Sequence, residues 1–194
     1  MADKKRIIVG ISGASGVIYG VRALQVLATM EDVETHLILS AAAQTNIAIE
    51  TTFQAEEVKA LADVCHSPDN LAASIASGSF RTEGMMVLPC SIKTLSGIAN
   101  SYADNLMVRA ADVVLKERGK LLLMVRETPL HLGHLKLQVR AAECGAIILP
   151  PVPAFYHEPR TIDDIVDHSV GRAFDQFGLD HELYRRWGGS RRQQ

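Results

Sequence analysis

Arg126-Glu127 stands directly after the apolar run Leu121–Val125. A guanidinium there can grip an anion with two parallel hydrogen bonds, and the carboxylate beside it can accept or release a proton. A second group of interest is Gly10-Ile11-Ser12-Gly13-Ala14-Ser15-Gly16, which closes the apolar run 6–11. Its small side chains let backbone N–H groups approach an anion at the start of the next helix, where the helix dipole adds to the attraction. A third, Pro89-Cys90-Ser91-Ile92-Lys93-Thr94, offers hydroxyls and helix-start amides, with Ser91 as an N-cap. Two such loops on one edge of a sheet favour a phosphorylated ligand. Tyr156, within Phe155-Tyr156-His157, and Arg172 add a phenol and a cation that could join Arg126 in a second anion pocket. Arg109, Asp112 and Lys116 are spaced to share one helix face, which also suits a salt-bridged surface.

Several known site types do not fit. The first loop has Ser12 where a dinucleotide fingerprint needs glycine, and Ser40 stands where an acidic residue would hold an NAD ribose. No GK[ST] follows for a Walker A loop, and Val17 replaces the last glycine of a nucleophile elbow. Cys65, Cys90 and Cys144 lie far apart without a CxxC, which points to free thiols in a reducing compartment and no metal site. Cys90 reads as an inert buried thiol.

These loops need elements to hold them at one place. Short apolar strands are expected at 6–11, 34–39, 85–88, 121–125 and 146–149. Helical patterns fall at 17–30, 41–49, 56–63, 92–99, 104–116, 132–144 and 162–177, with a connecting loop over 66–83. The alternation predicts a single-domain α/β fold: a Rossmann- or flavodoxin-like, mostly parallel sheet with helices on both faces. Right-handed crossovers then bring every strand-to-helix loop to one edge, where ligands bind.

The 194 residues suffice for one such domain, with 47% hydrophobic and 22% charged residues and a net charge of −2. That balance gives no footprint for nucleic acid and no polybasic membrane anchor. No secretory signal or membrane-length apolar run is visible, so a cytoplasmic location is expected. Residues 1–188 read as the domain, and 189–194 as a disordered tail.

The segments GISGASG (10–16), PCS..T (89–94), RAADVVLKE (109–117), VRETP (125–129), PAFYH (153–157) and RRWG (185–188) together resemble the UbiX-type flavin prenyltransferases. ASGSFRT (76–82) is similar to the members paired with phenolic-acid decarboxylases. The resemblance implies an FMN site shared between subunits of a homo-oligomer, typically a dodecamer. It implies metal-independent transfer of dimethylallyl from dimethylallyl phosphate to N5 and C6 of reduced FMN. The product, prenylated FMN, passes to a UbiD-type decarboxylase. By matching position, Gly13, Ala14, Ser15, Ser40, Ser91, Ile92, Lys93, Thr94 and Arg126 would hold FMN. Lys116, Arg126, Tyr156 and Arg172 would hold the prenyl phosphate. Ser15, Glu50, Glu127 and Lys116 would be the catalytic residues, Ser15 and Glu50 near flavin N5 and Glu127 beside the phosphate. His134-Leu135-Lys136-Leu137 departs from the His-Leu-Glu-Asn common in relatives, at a place that could alter a subunit contact or the site rim. Two other readings remain: a non-catalytic FMN-binding accessory subunit, and an enzyme that decarboxylates aromatic acids directly.

Overall fold

In the computed structural model, which describes residues 4–188, six strands form one wholly parallel sheet. They are β1 (Lys5–Ile11), β2 (Val33–Leu39), β3 (Val64–His66), β4 (Gly84–Cys90), β5 (Lys120–Val125) and β6 (Ile147–Ile148). The spatial order is β3-β2-β1-β4-β5-β6. The chain thus leaves β1 toward one side of the sheet and returns to lay β4 on its other side. Connections that diverge in this way open a crevice beyond the carboxyl ends of β1 and β4.

The helices are α1 (Ile18–Leu27), α2 (Ala41–Glu50), α3 (Ala55–Lys59), α4 (Ile92–Ala99), α5 (Leu106–Lys116), α6 (Leu132–Glu143) and α7 (Ile162–Phe177). Successive strand side chains point to opposite faces. Accordingly Ile7, Val9 and Ile11 pack with α1, α2 and α7, whereas Ile8, Met85 and Val87 pack with α4, α5 and α6. Both faces are covered, which is why the central strands are apolar throughout. Phe174 of α7 is fully buried in the first layer, and its loss would cost about 3–5 kcal/mol.

Two elements differ from the expectation. β3 was not expected: it falls between the helix expected at 56–63 and the loop expected at 66–83. It is three residues long at the sheet edge, and Val64 and Cys65 are exposed, so it carries no apolar signal. His36 Nδ1 lies 2.9 Å from His66 Nε2, a tertiary contact that fastens β3 to β2. β6 is two residues where four were expected. Pro150 and Pro151, which have no N–H to donate, follow directly upon Leu149. The expected tail at 189–194 lies outside the described residues. Among those described, no helix is long and apolar enough to cross a membrane.

Candidate active site

The carboxyl edge of the sheet is stitched by hydrogen bonds between its loops. Ser40 N donates to Ile11 O at 3.1 Å, Ser12 N to Pro89 O at 3.2 Å, and Arg126 N to Cys90 O at 3.1 Å. The β4–β5 ladder slips between Val87 and Cys90, around Pro89, which cannot donate to it. That slip leaves the Pro89 and Cys90 carbonyls available to the neighbouring loops. Ser12 adds a side-chain link: its Oγ donates to Pro89 O at 2.9 Å and accepts from Ser91 N at 2.7 Å.

Two clefts open on this edge, and the loop 12–16 stands between them. The larger, about 930 Å³, is lined by Gly13, Ser40, Ala42, Ser91, Lys93 and Thr94 from the first three loops, and by Tyr102, Asn105, Met107 and Val108. Three helices begin here, each capped by a side chain: Ser40 Oγ accepts from Ala43 N, Ser91 Oγ from Thr94 N, and Asn105 Oδ1 from Val108 N. The positive ends of α2, α4 and α5 therefore meet at one cavity, a setting for a phosphate or an electron-rich ring. Gly13 must lack a side chain, because a Cβ there would sit 2.4 Å from that of Ala42.

The smaller cleft, about 380 Å³, is lined by Ser15, Gly16, Tyr19, Arg126, Glu127, Thr128 and Pro150 to Val152. Glu50 reaches across from the end of α2 and accepts from Gly16 N at 2.7 Å and Val17 N at 3.3 Å. It clamps the wall that separates the clefts, where Gly16 has a φ of 94°. Glu127 Oε1 accepts from Thr128 N at 2.9 Å. Tyr19 is held above the usual phenol range, mainly by burial, with Ser169 and Arg126 pulling the other way.

On α7, Arg172 donates to Asp175 Oδ2 at 3.1 Å, and Tyr156 Oη lies 2.9 Å from His168 Nε2, one turn before Arg172. Asp175 also accepts from His181, Tyr184 and Arg186. Burial alone would raise its carboxyl, but Arg186, Tyr184 and His181 outweigh it and hold the group at about 2.

Most of the expected site residues therefore gather at one edge. Gly13, Ser40, Ser91, Lys93 and Thr94 line the larger cleft, and Ser15, Arg126 and Glu127 the smaller. Ala14 is buried in the wall between, whereas Tyr156, bonded to His168, and Arg172, bonded to Asp175, stand at α7 and line neither cleft. Ile92, the first residue of α4, is half-buried against the second core layer. Arg109 bonds Asp112 at 3.0 Å and the Ala76 carbonyl at 3.2 Å, which is a structural role. Cys90 is fully buried, and burial pushes its thiol far up.

Within one chain Lys116 does not join the cluster. It ends α5, which runs from the carboxyl edge back to the amino edge, and it pairs there with Glu117 beside Gly78. β5 starts at Lys120 on that side and delivers Arg126 at the other, and six residues of strand separate the two by about 20 Å. Conversely, Asn105, Tyr102 and Tyr19 belong to the clefts without having been singled out. For Asn105 a signal existed: an N-capping residue directly before Leu106-Met107-Val108.

Comparison with known proteins agrees with this geometry. A family model described as Flavoprotein matches residues 1–173. The flavin prenyltransferase UbiX of Escherichia coli K12 is 62% identical over 188 residues, covering 96% of this chain and 100% of that protein. A dodecameric FMN-dependent UbiX-like decarboxylase from Escherichia coli O157:H7 superposes with a TM-score of 0.93 at 54% identity, covering 95% of this chain and 100% of the other. AnUbiX (PadA1), solved with FMN and dimethylallyl pyrophosphate, gives 0.94 at 45% identity, covering 96% and 99%.

Proposed function

The chain belongs to the UbiX-type flavin prenyltransferase family, and we propose how its own residues carry out the transfer. The reaction moves dimethylallyl from its phosphate to reduced FMN, and the prenylated FMN then serves a UbiD-type decarboxylase. When bound, reduced FMN supplies the electron-rich ring atoms N5 and C6 that accept the five-carbon group. The observation that carries the assignment of roles is the pair of clefts sharing loop 12–16 as a wall. One cleft suits a flavin and the other a leaving phosphate, with Ser15 at their boundary.

The larger cleft fits FMN in donor set and size. Capped helix starts and the hydroxyls of Ser40, Ser91 and Thr94 suit the phosphate and polar ring edge, and Ala42, Met107 and Val108 give the ring an apolar bed. In the smaller cleft, breakage of the allylic C–O bond places growing negative charge on the departing phosphate. Arg126, Arg172 and the Tyr156 hydroxyl stabilise that charge as it forms. Lys116 completes the set from a second copy, because its own chain holds it at the opposite edge. A homo-oligomer, of the dodecameric kind seen in the Escherichia coli O157:H7 relative, supplies that copy. Glu127 holds or passes a proton beside the phosphate. Ser15 and Glu50 do so on the flavin side, and Glu50 also fixes the Gly16 amide. Orientation and fixed charge supply the rate, with no covalent bond to the protein. The working unit spans 1–188, and its unpaired cysteines accord with the cytoplasm.

An accessory subunit that only carried FMN would have no use for the Arg126–Glu127 cleft. Incubation with reduced FMN and dimethylallyl phosphate, followed by mass spectrometry of the extracted flavin, should yield a prenyl adduct that Glu127→Gln abolishes. Bound FMN without adduct would return the carrier reading. Release of CO₂ from phenolic acids by this chain alone would instead establish direct decarboxylation.

A further inference from the structure

Beside Tyr156, the phenol assigned to the leaving phosphate, lies an imidazole that has no task in the transfer. His168 is 6% exposed, and its Nε2 is 2.9 Å from Tyr156 Oη, while Tyr156 itself is 46% exposed. The ring of His168 is fixed on two sides. His157 stacks on it with centroids 4.6 Å apart and planes 6° apart, and Tyr184 meets it edge-on at 4.7 Å. Arg172 lies four residues on, on the same face of α7. Burial first, then His157 and Arg172, disfavour a charge on this ring, against a smaller opposite pull from Asp175. In its neutral form the imidazole carries a single N–H.

The direction of the Tyr156–His168 bond decides what Tyr156 can offer a ligand. A phenol has one proton. With the imidazole proton on Nδ1, Tyr156 must donate to Nε2, and only its lone pairs face the phosphate. With the proton on Nε2, His168 donates to Oη, and the phenol proton is free to point at an anion. An anion held by Arg172 favours the second arrangement. We propose that His168 is a positioning residue for the transfer: its Nε2–H donates to Tyr156 and leaves the phenol proton for the leaving phosphate. The inference rests on the reading of Tyr156 as a phosphate ligand.

The test is a set of steady-state kinetics with dimethylallyl phosphate and reduced FMN on the intact oligomer. Tyr156→Phe should raise KM for the prenyl phosphate about tenfold, the scale of one hydrogen bond to a charged group. His168→Leu, which removes the group that orients the phenol, should raise the same KM severalfold but less than Tyr156→Phe, with FMN retention unchanged. His168→Gln, whose amide can still donate, should recover most of the loss. The double variant Tyr156→Phe/His168→Leu should be no worse than Tyr156→Phe alone. If Tyr156→Phe changes nothing, the role given to Tyr156 is wrong. If Tyr156→Phe is impaired but His168→Leu is not, or the two losses add, the inference about His168 is wrong. A measurement that needs no variant to fold as His168→Leu is solid-state ¹⁵N NMR of the wild-type imidazoles saturated with dimethylallyl phosphate, the His168 signal being the one missing in His168→Gln. The Nε2–H tautomer is expected there, and the Nδ1–H tautomer would overturn the proposal.

Discussion

If Lys116 and Arg126 act in one site but come from different chains, two dead enzymes should repair each other. Lys116 ends α5 at the amino edge, and Arg126 opens the loop at the carboxyl edge, about 20 Å away along β5. Lys116→Ala and Arg126→Ala should each lower kcat/KM by roughly 100-fold or more, the scale of removing one fixed charge from a developing anion. Mixing the two variants at equal amounts, after dissociation and reassembly, deals chains at random. A site then works only if the chain giving Arg126 and the neighbour giving Lys116 are both intact there. Each condition holds half the time, so about a quarter of wild-type activity should return in a symmetric oligomer with one such pairing per site. The assay is prenyl-adduct formation by mass spectrometry, with size-exclusion chromatography to show that the mixed assembly has re-formed. Reassembled mixtures that stay as inactive as either parent would refute the shared site. So would full activity in Lys116→Ala alone.

Three further outcomes follow from single contacts. Asp175 has its folded carboxyl at about 2 against an ordinary 3.8, a gap worth roughly 2 kcal/mol. Because the folded value is the lower, this stability is complete above the ordinary value and is lost as pH falls from there through about 2. Denaturant midpoints of wild type and Asp175→Asn should therefore differ at pH 7 and converge in acid; a constant difference would contradict the carboxylate's role. Ser12→Ala leaves the Ser91 amide without its acceptor, which should cost about 1–3 kcal/mol and weaken FMN binding, read by flavin fluorescence titration. Unchanged FMN affinity would show that the Ser12 link does not shape the larger cleft. Glu50→Gln keeps an acceptor for Gly16 N but removes the titratable proton, whereas Glu50→Ala removes both. Hydrogen exchange at Gly16 and Val17 should accelerate in Glu50→Ala far more than in Glu50→Gln, while adduct formation falls in both; equal exchange would dismiss the clamp.

Much of the site was legible because strand direction and loop chemistry are local. Arg126-Glu127 after an apolar run and the small residues of 12–16 mark the ligand edge without any knowledge of packing. Ser91 announces its helix in the same way. What escaped the sequence depended on contacts between distant segments. β3 exists because His66 meets His36, and nothing in Val64-Cys65-His66 alternates between apolar and polar. Tyr19 and His168 matter only once α1 and α7 lie together. The position of Lys116 was open to inference from topology: a helix that returns between parallel strands must carry its last turn to the far edge. Residue matching alone passed over that constraint.

The segment after α7 turns back along that helix: His181 and Tyr184 bond Asp175, and Trp187 rests edge-on against Tyr156, centroids 5.7 Å apart. An affinity handle or fluorescent fusion joined after Trp187 would therefore tug on the Tyr156 side of the reaction centre, and preparations tagged there should be compared with ones from which the handle has been cleaved.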